Sequence, residues 1–209
     1  MSEDRVAHWE NIHATKLNDV SWWQDPEDLW LDLLNHCNTT FAHGAIDVGA
    51  GSSFFIDALA ERGIRPLHIN DLSATALKVI QDRASRERIA VTPHVGSVLE
   101  LKLENPVDLW HDRAVFHFLT TPEDQHLYKQ SLLRNTTANA NFILATFAPQ
   151  GPTSCSGLDI VRWSSTEIAN FFAPEFEVVF SEEREHTTPW GGTQLFTVAV
   201  MRRGESTRA

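Results

Sequence analysis

Ala45-Ile46-Asp47-Val48-Gly49-Ala50-Gly51-Ser52-Ser53 is a short apolar run that breaks into two glycines and a pair of serines. Ala45 to Val48 reads as a buried strand, and Phe54 to Arg62 has helical spacing and stops at Gly63, a residue suited to ending a helix. A strand that turns through glycines straight into a helix brings backbone close to a ligand and presents the free N–H groups of the helix start. A dinucleotide fold asks for Gly-x-Gly-x-x-Gly, and Phe54 stands where the third glycine belongs. Taken alone, Gly49-Ala50-Gly51 fits a plain tight turn equally well, so the flanking sequence has to decide.

Working outward, strands and helices alternate. Upstream, Trp22 to Cys37 carries Leu29, Leu31, Leu33 and Leu34 behind acidic residues, which predicts a helix in a lead-in covering residues 1–40. Downstream, Pro66 to Asn70 is a strand, and Ser73 caps a helix reaching about Ser85. Val91 to Val95 and Val107 to Trp110 are the third and fourth strands. Thr121-Pro122-Glu123-Asp124 sets a cap, a first-turn proline and two acids in the order that opens a helix, here running to about Leu133. Asn141 to Phe147 reads as a strand buried on both faces. Ser164 and Glu167 have capping-box spacing before a helix ending near Phe172. Phe176 to Phe180 and Leu195 to Met201 are strands joined through Pro189-Trp190-Gly191-Gly192 with no helix between them. The order predicts an α/β fold: a Rossmann-like, mostly parallel seven-stranded sheet flanked by helices, ending in a C-terminal antiparallel hairpin. One domain is expected, with a lead-in or lid at 1–40, a core at 41–203 and a tail at 204–209.

The 209 residues, 42% hydrophobic and 22% charged, suit one globular domain. A net charge of -11, from 28 acidic and 17 basic residues with no clustered Lys or Arg, argues against nucleic acid as a partner. The opening MSEDRVAHWENI has acids where a signal peptide needs basic residues, and no run approaches the ~18–20 apolar residues of a membrane helix. The expectation is a cytoplasmic protein without a membrane partner. Cys37 and Cys155 are too few for a disulfide framework and too isolated for zinc, so no metal is expected.

Parallel sheets bind ligands at the carboxyl ends of their strands. Asp71 ends the second strand 22 residues beyond Gly49. An acid about 20 residues past a glycine loop is placed to accept hydrogen bonds from ribose hydroxyls. By itself Asp71 also suits a helix entry; together, loop and acid point to an adenosine site.

These residues carry a resemblance. AIDVGAGSS, HINDLS, VDLWHDRAVFHFL, FILATF and the strand-TPWGGTQ-strand ending resemble the class I S-adenosylmethionine (SAM)-dependent methyltransferases across Ala45 to Arg202. HWENIHATKLNDVSWWQ resembles the Trp-rich lead-in of small bacterial members, and WHDRAVFHF is distantly similar to the Trp-Asp-Arg block of thiopurine-type methyltransferases. The resemblance implies SAM as cofactor and S-adenosylhomocysteine (SAH) as product. It implies that Asp47, Gly49 and Gly51 hold the methionine and ribose end, Asp71 and Leu72 the ribose and adenine, and that Ser97 and Val98 border the adenine. Many members have an acid where Ser97 stands. His111 is placed near the methionine part and the transferred methyl. Where the family often has a Pro-Gly-Gly turn, Asn135 to Ala140 reads as a relaxed surface turn.

Trp22 and Trp23 are expected either to fold over the cofactor, where an aromatic face attracts a sulfonium, or to pack in the core. If a general base is used, the candidates are His111, Asp112 and His117, with Arg113 able to hold an anionic substrate. The competing expectation is that Asp112 pairs structurally with Arg113 and that His117 is a core histidine. Cys155, Arg162, His186 and Trp190 are expected near the acceptor pocket. The function implied is methyl transfer to a small-molecule acceptor; the alternatives are a protein side-chain (lysine) methyltransferase and a catalytically idle SAM- or SAH-binding module.

Overall fold

The computed structural model describes residues 3–16 and 19–204. The expected tail lies outside the described residues from 205 onward, as do residues 1–2 and 17–18 of the lead-in. The first helix is Glu3–Thr15 (α1), in a stretch without a continuous apolar stripe. The helix expected over Trp22 to Cys37 is replaced by two short 3-10 turns, Pro26–Asp28 and Leu31–His36. Pro26 is the reason: proline disfavours helical backbone in the residue before it, and Asp25 is extended at ψ 156°.

The alternation then proceeds as Ala45–Val48 (β1), Phe55–Glu61 (α2), Leu67–Asp71 (β2), Ala74–Arg86 (α3), Thr92–Val95 (β3), Val107–Arg113 (β4), Pro122–Asn135 (α4) and Thr136–Phe147 (β5). A two-stranded ribbon, Ser154–Cys155 (β6) and Leu158–Asp159 (β7), precedes Ser165–Phe172 (α5), Phe176–Thr187 (β8) and Thr193–Arg203 (β9). Local signals act where the sequence placed them. Ser73 accepts from the Ala76 N–H, Thr121 from the Asp124 N–H, and Ser164 with Glu167 forms a reciprocal capping box.

The seven-stranded sheet has the order β3-β2-β1-β4-β5-β9-β8, with β1 to β5 parallel and β9 running antiparallel between β5 and β8. The order reverses between β1 and β4, which opens a crevice at their carboxyl ends. Asn135 to Ala140 is no surface turn. Asn135 is buried at the end of α4, accepts from the Leu103 N–H at 2.7 Å and donates to the Leu101 carbonyl at 3.0 Å. The chain enters β5 at once and absorbs extra residues in a bulge, with Asn139 at φ 64°.

Side chains alternate across the sheet and build a core on each face. Ala45, Leu109, Ile143 and Val198 pack under α2 and α3 with Phe55, Leu59, Leu77 and Ile80. Ile46, Trp110, Phe142 and Ala199 pack under α4 and α5 with Tyr128, Leu132 and Phe172. Each fully buried Leu or Phe contributes ~1.5–3 kcal/mol of apolar burial. Among the described residues, no helix is long and apolar enough to cross a membrane.

Candidate functional site

The glycine loop and Asp71 meet at the tips of β1 and β2. Asp71 accepts the Gly51 N–H with Oδ2 and the Ser73 N–H with Oδ1, both at 2.9 Å. Burial pushes its carboxyl above the usual range, against the opposing pull of His13. Gly49 and Gly51 have φ 60° and 53°, a left-handed backbone that glycine adopts without penalty. A Cβ on Gly49 would lie 2.0 Å from Val115 Cγ2, and one on Gly51 would lie 3.2 Å from His13 Cε1.

At the tip of β4, alternation sorts the block Trp110-His111-Asp112-Arg113. Asp47 pairs in register with His111, and His111 Nδ1 hydrogen-bonds Asp47 Oδ1 at 2.6 Å while its ring stacks on Phe55 at 3.8 Å. Because a carboxylate only accepts, Nδ1 donates the proton of this bond and Nε2 is left outside it. Arg113 lies on the same face as His111. Its Nη1 donates to the Trp22 carbonyl at 2.7 Å, and its guanidinium carbon sits 5.1 Å from the Trp30 ring centre and 5.4 Å from that of Phe196. Burial lowers Arg113 to about 10, so it stays cationic at neutral pH.

Asp112 points to the other face, fully buried, where it accepts from Tyr128 Oη at 2.5 Å and the Val115 N–H at 2.8 Å, and burial raises it to about 6. His117 is fully buried beside Phe118 and Phe147, with neither ring nitrogen partnered among the described residues. Burial lowers it to about 3, so the ring is neutral. Between them Ala114 is held at φ 73°, a strained position of the kind that collects at functional sites.

The lead-in covers this ground. Arg5, Trp9 and His13 fall four residues apart on one face of α1 and line the first cavity. Arg5 Nη1 donates to the Phe118 carbonyl at 3.1 Å, and Glu10 Oε1 accepts from Thr75 Oγ1 at 2.5 Å and the Thr75 N–H at 3.2 Å, so α1 is tied to both banks of the crevice. The first cavity encloses about 770 Å³ with its mouth and is bordered by Gly49, Gly51, Asp71, Leu72, Val98 and Arg113. A second, of about 660 Å³, is bordered by Trp23, Asp47, Gly49, Phe55, His111 and Arg113. Trp22 borders both.

Of the residues named from the sequence, Asp47, Gly49, Gly51, Asp71, Leu72, Val98, His111, Arg113 and Trp23 border the cavities, whereas Ser97, Asp112 and His117 border neither. Ser97 Oγ is used instead to accept the Leu99 N–H. Asp112 bonds Tyr128 rather than pairing with Arg113. Cys155 borders the first cavity, its thiol raised by burial to about 11. Arg162 is exposed and binds the Pro149 carbonyl, His186 Nε2 donates to the Ser21 carbonyl at 2.8 Å, and Trp190 is 62% exposed with its indole on Asp19. Sequence reasoning missed Arg5, Trp9 and His13; their spacing of four was the available signal.

Residues 45–139 match a family model described as a methyltransferase domain. No curated protein matches the sequence. The fold is similar to a SAM-dependent methyltransferase from Anabaena variabilis (18% identity, 97% of this chain and 96% of that one, TM-score 0.70). It is also similar to Burkholderia thailandensis 1,6-didemethyltoxoflavin-N1-methyltransferase with bound 1,6-didemethyltoxoflavin and SAH (18% identity, 98% and 91%, TM-score 0.69). A third is the N-methyltransferase NodS from Bradyrhizobium japonicum in complex with SAH (13% identity, 95% and 100%, TM-score 0.69).

Proposed function

We propose that this chain, which carries a methyltransferase domain and the fold of the class I SAM-dependent methyltransferases, moves a methyl group from SAM to a small-molecule acceptor by in-line displacement. The observation that carries the reading is the joining of the Gly49–Gly51 loop to the Asp71 carboxylate at the wall of one cavity. The residues present suit an S-adenosyl nucleoside. A side chain at Gly49 would collide with Val115 at the cavity wall, and Asp71 keeps lone pairs beyond its two backbone contacts, since an ionised carboxylate has about four acceptor positions. In this reading Asp71 and Leu72 hold the ribose and adenine, Val98 and the neighbouring Ser97 border the adenine, and Asp47, Gly49, Gly51, His111 and Trp23 surround the methionine end. Residues 1–40 act as the lid on a core of 41–203. The Burkholderia and Bradyrhizobium structures, each holding SAH and the first also 1,6-didemethyltoxoflavin, support both the cofactor and a small-molecule acceptor.

The cofactor supplies a methyl already activated on a sulfonium, which leaves the protein mainly the task of alignment. Holding two reactants in line is worth up to ~7–11 kcal/mol in favourable cases. His111 is the residue best arranged to take a proton from the acceptor: Asp47 fixes the proton on Nδ1 and leaves Nε2 free as the accepting atom. Asp112 and His117 support the site from behind, Asp112 by anchoring the Val115 N–H.

The test is incubation with methyl-labelled SAM and pools of metabolites, thiols, acids and proteins. Label on a small molecule is the expected outcome. Label confined to polypeptides would replace this reading with the protein-directed one, and SAM binding without transfer would leave an idle binding module.

A further inference from the structure

Arg113 stands where the two cavities meet, beside Trp22 and Gly49. Of its guanidinium only Nη1 is spent, on the Trp22 carbonyl, while Nε and Nη2 are buried without an acceptor among the described residues. Those two nitrogens share one edge of the guanidinium plane, the edge that grips both oxygens of a carboxylate side-on. Buried donors of a cation are normally met, and here no side chain meets them. Asp47 gives Oδ1 to His111, has Oδ2 without a donor, and makes no ion pair with Arg113 among the described residues. The Cys155 thiol, raised by burial to about 11, keeps its proton at neutral pH. His117 and His186 are neutral rings that the charge of Arg113 helps to keep so.

The walls of the first cavity indicate what such a carboxylate is attached to. In a chain of net charge -11, Arg5 and Arg113 border this cavity against one carboxylate among the described residues, Asp71, which the nucleoside end uses. Trp9, Trp22, Phe118, Cys155 and Leu158 complete an apolar wall. Trp9 meets Phe118 and Trp22 edge-on, with ring centres 5.2 and 5.7 Å apart. Rings set on edge to one another leave faces against which a flat aromatic body packs.

We infer that the methyl acceptor is a small aromatic carboxylic acid, its carboxylate on the Nε–Nη2 edge of Arg113 and its ring against Trp9, Trp22 and Phe118. This rests on the reading of the chain as a methyltransferase with SAM in the crevice, and it turns the sequence expectation of an anion at Arg113 into a chemical class. Arg113 then selects the acceptor and takes no proton in the transfer.

The full chain tests this in two ways, by calorimetry on its SAH complex and by transfer from methyl-labelled SAM. The probes are the hydroxybenzoates, the aminobenzoates, nicotinate and indole-3-carboxylate, each offered beside its neutral carboxamide. At least one acid should bind the SAH complex and take label, with its carboxamide about tenfold or more poorer in kcat/KM, the scale of a charged hydrogen-bond pair. Arg113→Met should erase the acid's advantage, Arg113→Lys should keep part of it, and SAH affinity should be unchanged in both. Equal use of acids and carboxamides by the unaltered protein would overturn the inference, a comparison that needs no variant to fold. So would label on neutral compounds or polypeptides alone, or an acid preference that survives in Arg113→Met. A loss of SAH affinity in Arg113→Met with the acid preference intact would assign the edge to the cofactor's own carboxylate and overturn the inference as well. If SAH binds and no acid of the panel binds or takes label, the acid subsite falls alone, whereas failure of SAH to bind takes the methyltransferase reading with it.

Discussion

Asp71 works twice at the scale of the single residue, holding the Gly51 and Ser73 N–H groups and offering its remaining lone pairs to the crevice. Replacing it by alanine should weaken SAH binding by about 1–3 kcal/mol, the cost of losing hydrogen bonds to a charged acceptor. Calorimetry measures the loss, and a thermal melt beside it shows whether the loop itself has come apart. An unchanged affinity would remove the ribose contact from Asp71. This residue was legible in the sequence because its chemistry depends on a local arrangement, a strand end spaced from a glycine loop. The block His111 to His117 was legible only as a set. Which members reach the crevice depends on the phase of β4, and that phase turns His111 and Arg113 one way and Asp112 the other, onto Tyr128. His117 lies beyond the strand end, packed against Phe147.

Among the elements, α1 is the one whose contacts suggest movement. Among its described side chains only His13 is fully buried; Trp9 packs edge-on against Phe118 and Trp22, and the remaining ties, Arg5 to the Phe118 carbonyl and Glu10 to Thr75 of α3, are polar. Elements held by few apolar contacts open most readily. Glu10 stays ionised because hydrogen bonds from Ser73 and Thr75 favour the carboxylate. Glu10→Gln or Thr75→Val should therefore speed SAH release by roughly three- to tenfold, the effect of one or two partly exposed hydrogen bonds, with little change in melting temperature. Stopped-flow fluorescence, using Trp9 and Trp22 at the cavity wall, reads the rate. An unaltered release rate would show that α1 does not gate the crevice. The sequence concealed this helix because its apolar residues make no stripe, and it overstated a helix at Trp22 to Cys37 because leucine spacing outweighed Pro26.

For the whole molecule, buried histidines set the response to acid. His117 is lowered to about 3 from an ordinary 6.5, so between those pH values the unfolded chain takes a proton that the folded protein refuses. Stability from this residue is therefore intact above pH 6.5 and is lost as pH falls, by up to about 1.4 kcal/mol per pH unit. His186, lowered by burial to about 4, acts in the same sense. Asp112, raised to about 6 from an ordinary 3.8, acts oppositely, because between those values the folded protein keeps a proton that the unfolded chain has released. Comparing His117→Leu with the unaltered protein by denaturant titration from pH 7 to 4 isolates the histidine. The variant should lose less stability on acidification, and parallel curves would contradict a buried neutral His117. A core position for His117 was one of the two sequence expectations, but the size of these shifts was not visible beforehand, since burial is a property of neighbours. The sequence alone determined the alternation of strands and helices, their caps, the glycine elbow and the acid beside it, because each is encoded within a few residues of backbone. Tertiary structure decided the face each β4 side chain takes, the reach of α1 across the crevice and the unspent atoms of Arg113 and Asp47. Those depend on residues such as Trp22, 91 positions from Arg113, whose carbonyl meets the guanidinium only after folding.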